Sequence, residues 1–279
     1  METITSRKNP IYAHIKKLGG NRTYRQENGE FLCDGLKLLE EAAKNGANIN
    51  TVITAGAIPF PLPSETRVYT AAQGLIDSLS PLKNAQDVLF VCKMPEETDT
   101  NIEMGTQILL DQMQDPGNVG TILRTAYAFG ICCVILTEGC ADIYNPKTIR
   151  ASMGAIFKQK TRRVKLSGIA SLKTQAQNAC AAPTSGVNCG VRLIGATLEK
   201  NSKEITEIDL KNSIIAIGNE GAGLSTEVLS HCDERVTIPI APGCESLNAA
   251  AAAAIIMWEA KKGGDAFCPK QYIGFGCHK

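Results

Sequence analysis

No apolar stretch in this chain is long enough to cross a bilayer. The longest, Ala249 to Trp258, falls well short of the roughly 20 residues a spanning helix needs. The N-terminus lacks the apolar core of a secretory signal, so a cytoplasmic location is expected. No cysteine pair has the spacing C-x-x-C, although the chain carries 11 cysteines. An odd, scattered set does not make a disulfide framework, and a reducing compartment keeps such residues as thiols. Cys132 and Cys133 fall in an apolar run and are expected to be buried. Cys268, Cys277 and His278 crowd the C-terminus, but their spacing fits no zinc pattern, and no metal is expected. Net charge is scarce too. A value of +1 at pH 7 excludes a globally basic nucleic-acid binder, though not a local patch. There is no G-x-G-x-x-G, so neither a nicotinamide nor a flavin is expected.

What is present reads as an ordinary globular chain. Its 279 residues, 44% hydrophobic and 20% charged, make room for one large domain or two modest ones. The most informative stretch is Ser213 to Glu259. Two apolar runs in it, Ile214–Ile217 and Val236–Ile240, have the look of buried parallel strands. Each enters a loop rich in Gly or Pro. The two loops are expected side by side at the carboxyl ends of the strands, where open α/β sheets bind ligands. Ser246 is a candidate cap for the Ala-rich helix behind it. Alone, these features fit a pair of ordinary turns equally well.

The loop G-N-E-G-A-G-L-S and, after it, I-P-I-x-x-x-x-E-S-L-N resemble the last two motifs of the SpoU (TrmH-like) RNA ribose 2′-O-methyltransferases of the SPOUT superfamily. The first motif of that family, an Asn-x-Gly-x-x-x-Arg helix start, is matched upstream by D-P-G-N-V-G-T-I-L-R with Asn118 and Arg124. The resemblance runs from about Thr106 to Lys262. It implies a Rossmann-like parallel sheet whose C-terminal part forms a trefoil knot, S-adenosylmethionine (AdoMet) as cofactor, and a homodimer.

The region ahead of it alternates short strands and helices, an α/β pattern. Strands are expected at Phe31–Cys33, Asn50–Thr54, Arg67–Thr70 and Val88–Cys92, and helices at Ile11–Leu18, from Asp34 or Gly35 to Asn45, and at Ala71–Leu79. This part resembles the L30e-like substrate-binding domain that precedes many SpoU catalytic domains. The organisation expected is α/β throughout: an L30e-like domain over 1–93, a linker over 94–104, a catalytic domain over 105–265 and a tail over 266–279. In the catalytic part Asn118 is expected to cap a helix running to Phe129, with Val119, Ile122, Leu123 and Ala126 on its buried face and Arg124 pointing away. A single helix is expected from Asn145 to Phe157.

Ribose methylation needs a donor in line with the 2′-oxygen, loss of the hydroxyl proton and a firmly held RNA. The resemblance assigns catalysis to Asn118, Arg124, Glu220, Ser246 and Asn248, and AdoMet contacts to Gly218, Asn219, Gly221, Ile238 and Leu247. Arg124 is better suited to gripping a phosphate than to acting as a base, because guanidinium stays protonated. Glu220 is expected to anchor Arg124 or a loop backbone. Each position also has a plainer role: helix cap for Asn118 and Ser246, backbone partner for Asn248, surface charge for Arg124 and Glu220. The first 25 residues carry Arg7, Lys8, Lys16, Lys17, Arg22 and Arg25 with Glu2 the one acid, a density that suits RNA phosphates and also suits a solvated helix face. The front domain favours rRNA as substrate. A tRNA substrate, or a non-catalytic RNA-binding protein on the same scaffold, is the alternative.

Overall fold

The computed structural model describes residues 2–81, 86–95, 105–180, 191–199 and 201–262. Most of the expected linker, residues 182–188, which the sequence marks as a loop, and the tail lie outside the described residues. The chain divides into two compact units. Among the described residues the first takes 2–95 together with 142–158, and the second takes 105–141 and 159–262.

The first unit is built on strands β1 (Glu2–Ile4), β2 (Glu30–Asp34), β3 (Ile49–Thr54), β4 (Arg67–Ala71) and β5 (Val88–Lys93). Their order in the sheet is β1-β4-β3-β5-β2, parallel across β1, β4 and β3 and antiparallel at β5 and β2. Successive side chains of a strand face opposite sides, and both sides are used. Leu32, Leu89 and Val91 join a core with Ile15 and Leu18 of helix α1 (Pro10–Gly20). Phe31, Phe90 and Cys92 join a second core with Leu39 of helix α3 (Leu36–Lys44). A helix not expected from the sequence, α2 (Arg22–Asn28), is capped by the Asn21 side chain and closed by Gly29 in the left-handed region. Helix α4 is Gln73–Leu79.

The segment 142–158 adds a wall to this unit. Tyr144, Ile149 and Phe157 pack on the Phe31 side of the sheet. Helix α5 (Pro116–Phe129) precedes this segment in the chain and belongs to the second unit. The single helix expected over 145–157 is two pieces, helix α6 (Pro146–Ser152) and a 3-10 turn at Ala155–Phe157. Met153 (φ 49°) and Gly154 (φ 89°) both adopt left-handed backbone, which ends the helix between them.

The second unit is a seven-stranded, fully parallel sheet in the order β10-β12-β9-β11-β6-β7-β8. The strands are β6 (Gln107–Leu110), β7 (Cys133–Thr137), β8 (Thr161–Val164), β9 (Arg192–Ala196), β10 (Lys203–Glu204), β11 (Ser213–Ile217) and β12 (Glu234–Thr237). The central strands β6, β7 and β11 are buried along their whole length, as continuous apolar runs in a parallel sheet should be. Helices α7 (Ile169–Cys180) and α8 (Thr226–His231) cover one face, where Leu109, Ile135, Leu193 and Val228 meet. Helices α5 and α9 (Ala249–Lys262) pack against each other. Val119, Ile122, Leu123 and Ala126 of α5 are fully buried, as their spacing requires. At about 1.5–3 kcal/mol for each large side chain, that face secures the helix.

Candidate active site

The parallel order places all three motif loops at the carboxyl edge of one sheet. The first follows β6, the second follows β11, and the third follows β12. The strands that lead into the second and third loops are not neighbours, contrary to expectation. Strand β9 lies between β11 and β12, whereas β6 and β11 are hydrogen-bonded neighbours. The first and second motifs are therefore the pair that emerge side by side.

The first loop turns at Asp115-Pro116-Gly117. Asp115 caps α5, its Oδ1 accepting from the Asn118 amide at 2.7 Å. The cap is thus Asp115 and not Asn118, because Pro116 opens the helix earlier than expected. This frees the Asn118 side chain. Its Nδ2 donates to Glu220 Oε1 at 2.7 Å, and its Oδ1 accepts from Asn248 Nδ2 at 3.1 Å. Asn248 Oδ1 in turn accepts from the amides of Ala250 and Ala251 at the start of α9. Asn248 therefore caps this helix, and Ser246, two residues earlier, is exposed and makes no capping bond among the described residues. One residue from each motif is joined in a single chain, Glu220–Asn118–Asn248.

The second loop folds back on itself. Asn219 and Gly223 exchange both backbone hydrogen bonds at 2.9 Å, and Asn219 Oδ1 accepts from the amides of Gly221 and Ala222. A Cβ on Gly218 would fall on the backbone of Gly223 and Leu224, closer than side chains ever approach. Glycine is needed there by the loop's own fold. Gly221 and Glu220 are exposed, while Gly218 and Asn219 are half-buried.

The third loop is open. From Pro239 to Leu247 the one backbone–backbone hydrogen bond among the described residues runs from Cys244 N to Ala241 O. The Ser246 carbonyl also accepts from Cys244 Sγ at 3.5 Å, and the other peptide groups, with no such bond among the described residues, stand beside the half-buried side chains of Ile238 and Leu247. Exposed amides and carbonyls between apolar side chains form the donor set that a neutral adenine ring calls for, so these residues fit AdoMet. Burial raises the Cys140 thiol above its ordinary pKa and pushes Cys232 up to about 11. Both thiols stay protonated at neutral pH and are poor nucleophiles.

Arg124 is exposed on α5 and, among the described residues, makes no hydrogen bond or ion pair. Glu220 has Asn118 as its partner and not Arg124. In the first unit Arg7, Lys8, Lys16, Lys17 and Arg22 are exposed. Lys17 lies 5.2 Å from the Tyr24 ring centre, and Lys16 Nζ donates to the Ser78 carbonyl. Arg25 must be struck from this set. It is 3% exposed, with Nε and Nη2 both donating to Asp142 Oδ2, at 3.0 and 2.6 Å, and Nη1 donating to Leu18 O. A buried guanidinium already engaged on three sides is not available to a phosphate. A second cationic stretch is legible in the sequence and goes unclaimed by the motifs. Residues 143–198 contain Lys147, Arg150, Lys158, Lys160, Arg162, Arg163, Lys165, Lys173 and Arg192, and no Asp or Glu.

Residues 105–258 match the SpoU rRNA methylase family. The chain belongs to the SpoU rRNA methylase family. Residues 8–89 match the MRM3-like substrate binding domain, in keeping with the front domain expected from sequence. The chain is 32% identical over 262 residues to the 23S rRNA (guanosine(2553)-2′-O)-methyltransferase RlmP of Bacillus subtilis, covering 92% of this chain and 98% of that one. It is 32% identical over 269 residues to the 23S rRNA (uridine(2479)-2′-O)-methyltransferase of Streptomyces viridochromogenes, covering 92% and 91%. Among solved structures it superposes on the AdoMet-bound rRNA methyltransferase of Sinorhizobium meliloti with a TM-score of 0.80 at 28% identity, covering 94% and 97%. The α/β fold with a parallel catalytic sheet is that of the SpoU relatives, and the match agrees with the enzyme class and cofactor expected from the motifs. No group of three His, Cys, Asp or Glu among the described residues is placed to hold a metal, and no described helix is long and apolar enough to cross a membrane.

Proposed function

We propose that this SpoU protein transfers the methyl group of AdoMet to a ribose 2′-hydroxyl of rRNA. The observation that carries the reading is the hydrogen-bonded chain Glu220–Asn118–Asn248, which ties the three motif loops together at one sheet edge. Both curated relatives above are named as 23S rRNA 2′-O-methyltransferases and match this chain over nearly its full length.

AdoMet supplies an electrophilic methyl on its sulfonium. Gly218, Asn219 and Gly221 in one loop, and Ile238 and Leu247 flanking the other, hold the cofactor through peptide groups and apolar contact. Arg124 grips the phosphate next to the target ribose, a task for a permanent cation with a planar donor fork. It does not take the proton, which leaves the 2′-oxygen for a phosphate oxygen or water. Asn118, Glu220 and Asn248 fix the loops relative to α5, and Ser246 reaches the ribose from the exposed loop. Arg7, Lys8, Lys16, Lys17 and Arg22 of the front domain hold the RNA backbone.

The domain plan follows: an RNA-holding part over 1–93, a linker over 94–104, a catalytic part over 105–265 and a tail beyond, with 142–158 built into the front unit. The protein works in the cytoplasm, where its free thiols, buried at Cys33, Cys92 and Cys140, persist. The catalytic part is knotted and forms a homodimer. The dimer reading is supported by an outward apolar stripe on α9, with Ala251 exposed, Ile255 39% exposed and Trp258 51% exposed. Such stripes mark contact surfaces.

The test is methyl transfer from labelled AdoMet to unmodified rRNA and tRNA, with nuclease mapping of the product. Label as 2′-O-methylribose in rRNA is the expected outcome. Label in tRNA alone overturns the substrate, and absence of both label and AdoMet binding overturns the enzyme. In the same assay Arg124→Ala keeps its AdoMet affinity and loses most methyl transfer.

A further inference from the structure

Asp111 follows β6 directly and is completely buried, yet the chemistry above does not use it. One carboxylate oxygen accepts from the Ser225 amide at 2.6 Å, and the other accepts from Thr137 Oγ1 at 3.1 Å. The Asp111 amide donates to Ile217 O at 2.9 Å. The next residue, Gln112, donates its own amide to Thr137 Oγ1 at 2.9 Å, and its carbonyl accepts from Asn219 Nδ2 at 2.9 Å. Gln112 has φ 52°, a left-handed backbone that a non-glycine residue holds when its surroundings enforce it.

These bonds have a common destination. Ile217 and Asn219 begin the loop that carries Glu220, and Ser225 ends it. The tip is already closed by the Asn219–Gly223 pair. What the loop's own bonds do not fix is the direction in which that closed tip leaves the sheet. Asp111 and Gln112 fix it from below, at both ends. A buried carboxylate is costly unless charge-assisted bonds offset its lost hydration. Here both offsetting bonds serve the loop or the strand end beneath it.

We propose that Asp111 is a positioning residue for the cofactor loop. Through Ser225 it sets where the Gly218–Gly223 backbone stands and where Glu220 meets Asn118. The inference rests on the AdoMet reading above and names the residue that orients that site.

The experiment measures AdoMet affinity by calorimetry in Asp111→Ala, Asp111→Asn and Ser213→Ala. Ser213 is equally buried, and its hydroxyl donates to Leu210 O at the opposite end of β11. Asp111→Ala is expected to bind AdoMet about tenfold or more weakly, the scale of one lost charge-assisted hydrogen bond. Asp111→Asn keeps an acceptor for Ser225 N and stays within about threefold of wild type. Ser213→Ala loses stability and keeps its affinity. Unchanged affinity in Asp111→Ala overturns the proposal, as does an equal loss in Ser213→Ala. If Asp111→Ala does not fold, Thr137→Val is read by the same criteria. If the wild type itself binds no AdoMet, the functional reading fails. Amide exchange at Gly221 and Ser225 in ligand-free Asp111→Ala or, should that not fold, Thr137→Val then decides the loop claim: faster exchange than wild type upholds it, and equal rates overturn it.

Discussion

Replacing Asn118 by Ala removes both side-chain bonds that join the three motif loops. The bond to Glu220 involves a charged acceptor, a class that contributes about 1.5–3 kcal/mol net, and the bond from Asn248 is neutral, about 0.5–1.5 kcal/mol. Glu220 and Asn248 are exposed, so water partly replaces the missing bonds and the low ends apply, about 2 kcal/mol together. If that energy holds the loops in the reactive arrangement, kcat/KM falls by about 30-fold. The melting temperature of a unit this size falls by only about 2–4 °C per kcal/mol, so activity is lost far from the unfolding transition. Asn118→Asp separates positioning from the mere absence of a partner. It sets a second carboxylate against Glu220, repels it, and is expected to be slower than Asn118→Ala. Steady-state kinetics on unmodified rRNA reads both effects. Turnover of Asn118→Ala within about threefold of wild type would refute the argument that this chain of bonds organises the site.

Three further outcomes are expected. Arg25→Ala leaves Asp142 buried without its cation and costs about 3–5 kcal/mol of stability, visible as a large drop in melting temperature, whereas Lys8→Gln or Arg22→Gln leaves melting unchanged and lowers the salt slope of RNA binding by about 0.7–0.9 for each phosphate no longer neutralised. Alkylation at pH 8, followed by peptide mass mapping, labels exposed Cys244 well before Cys232, whose pKa of about 11 leaves little thiolate, and AdoMet slows the labelling of Cys244. Hydrogen bonds from Lys203 and Arg192 hold Glu234 below its ordinary pKa of 4.5; a depressed carboxylate adds stability above that value and loses it as pH falls through the folded-state pKa, so Glu234→Gln has a flatter melting profile than wild type below about pH 4.5.

Local patterns carried most of the fold. The buried face of α5 and the buried central strands depend on residues close in sequence, and each stands where its spacing placed it. The misreadings share a cause. Arg25 looks like one more cation in a basic run because its partner, Asp142, lies 117 residues away. The break after Ser152 comes from two successive left-handed residues, one of them Met153, which no local preference announces. Asn118 is a good capping residue type, but Asp115 ahead of Pro116 is a better one, and the competition frees Asn118 for Glu220. The neighbours of β11 follow from strand order, which pairing across the sheet decides and local sequence does not.

The segment 142–158 has a consequence for how this protein can be cut or recombined. It lies well inside the family's catalytic stretch, yet Tyr144, Ile149 and Phe157 complete the core around Phe31, and Asp142 neutralises Arg25. The polypeptide therefore leaves the front unit, returns to it, and leaves again. A truncation at the linker would strip the front unit of a wall and expose a buried guanidinium without its counter-ion. Grafting a foreign front unit onto this catalytic sheet would bring together Phe31 and Ile149 counterparts that had never shared a core. Residues 2–95 and 142–158 are thus a matched set, and any chimera must carry 142–158 with the N-terminal third to which it belongs.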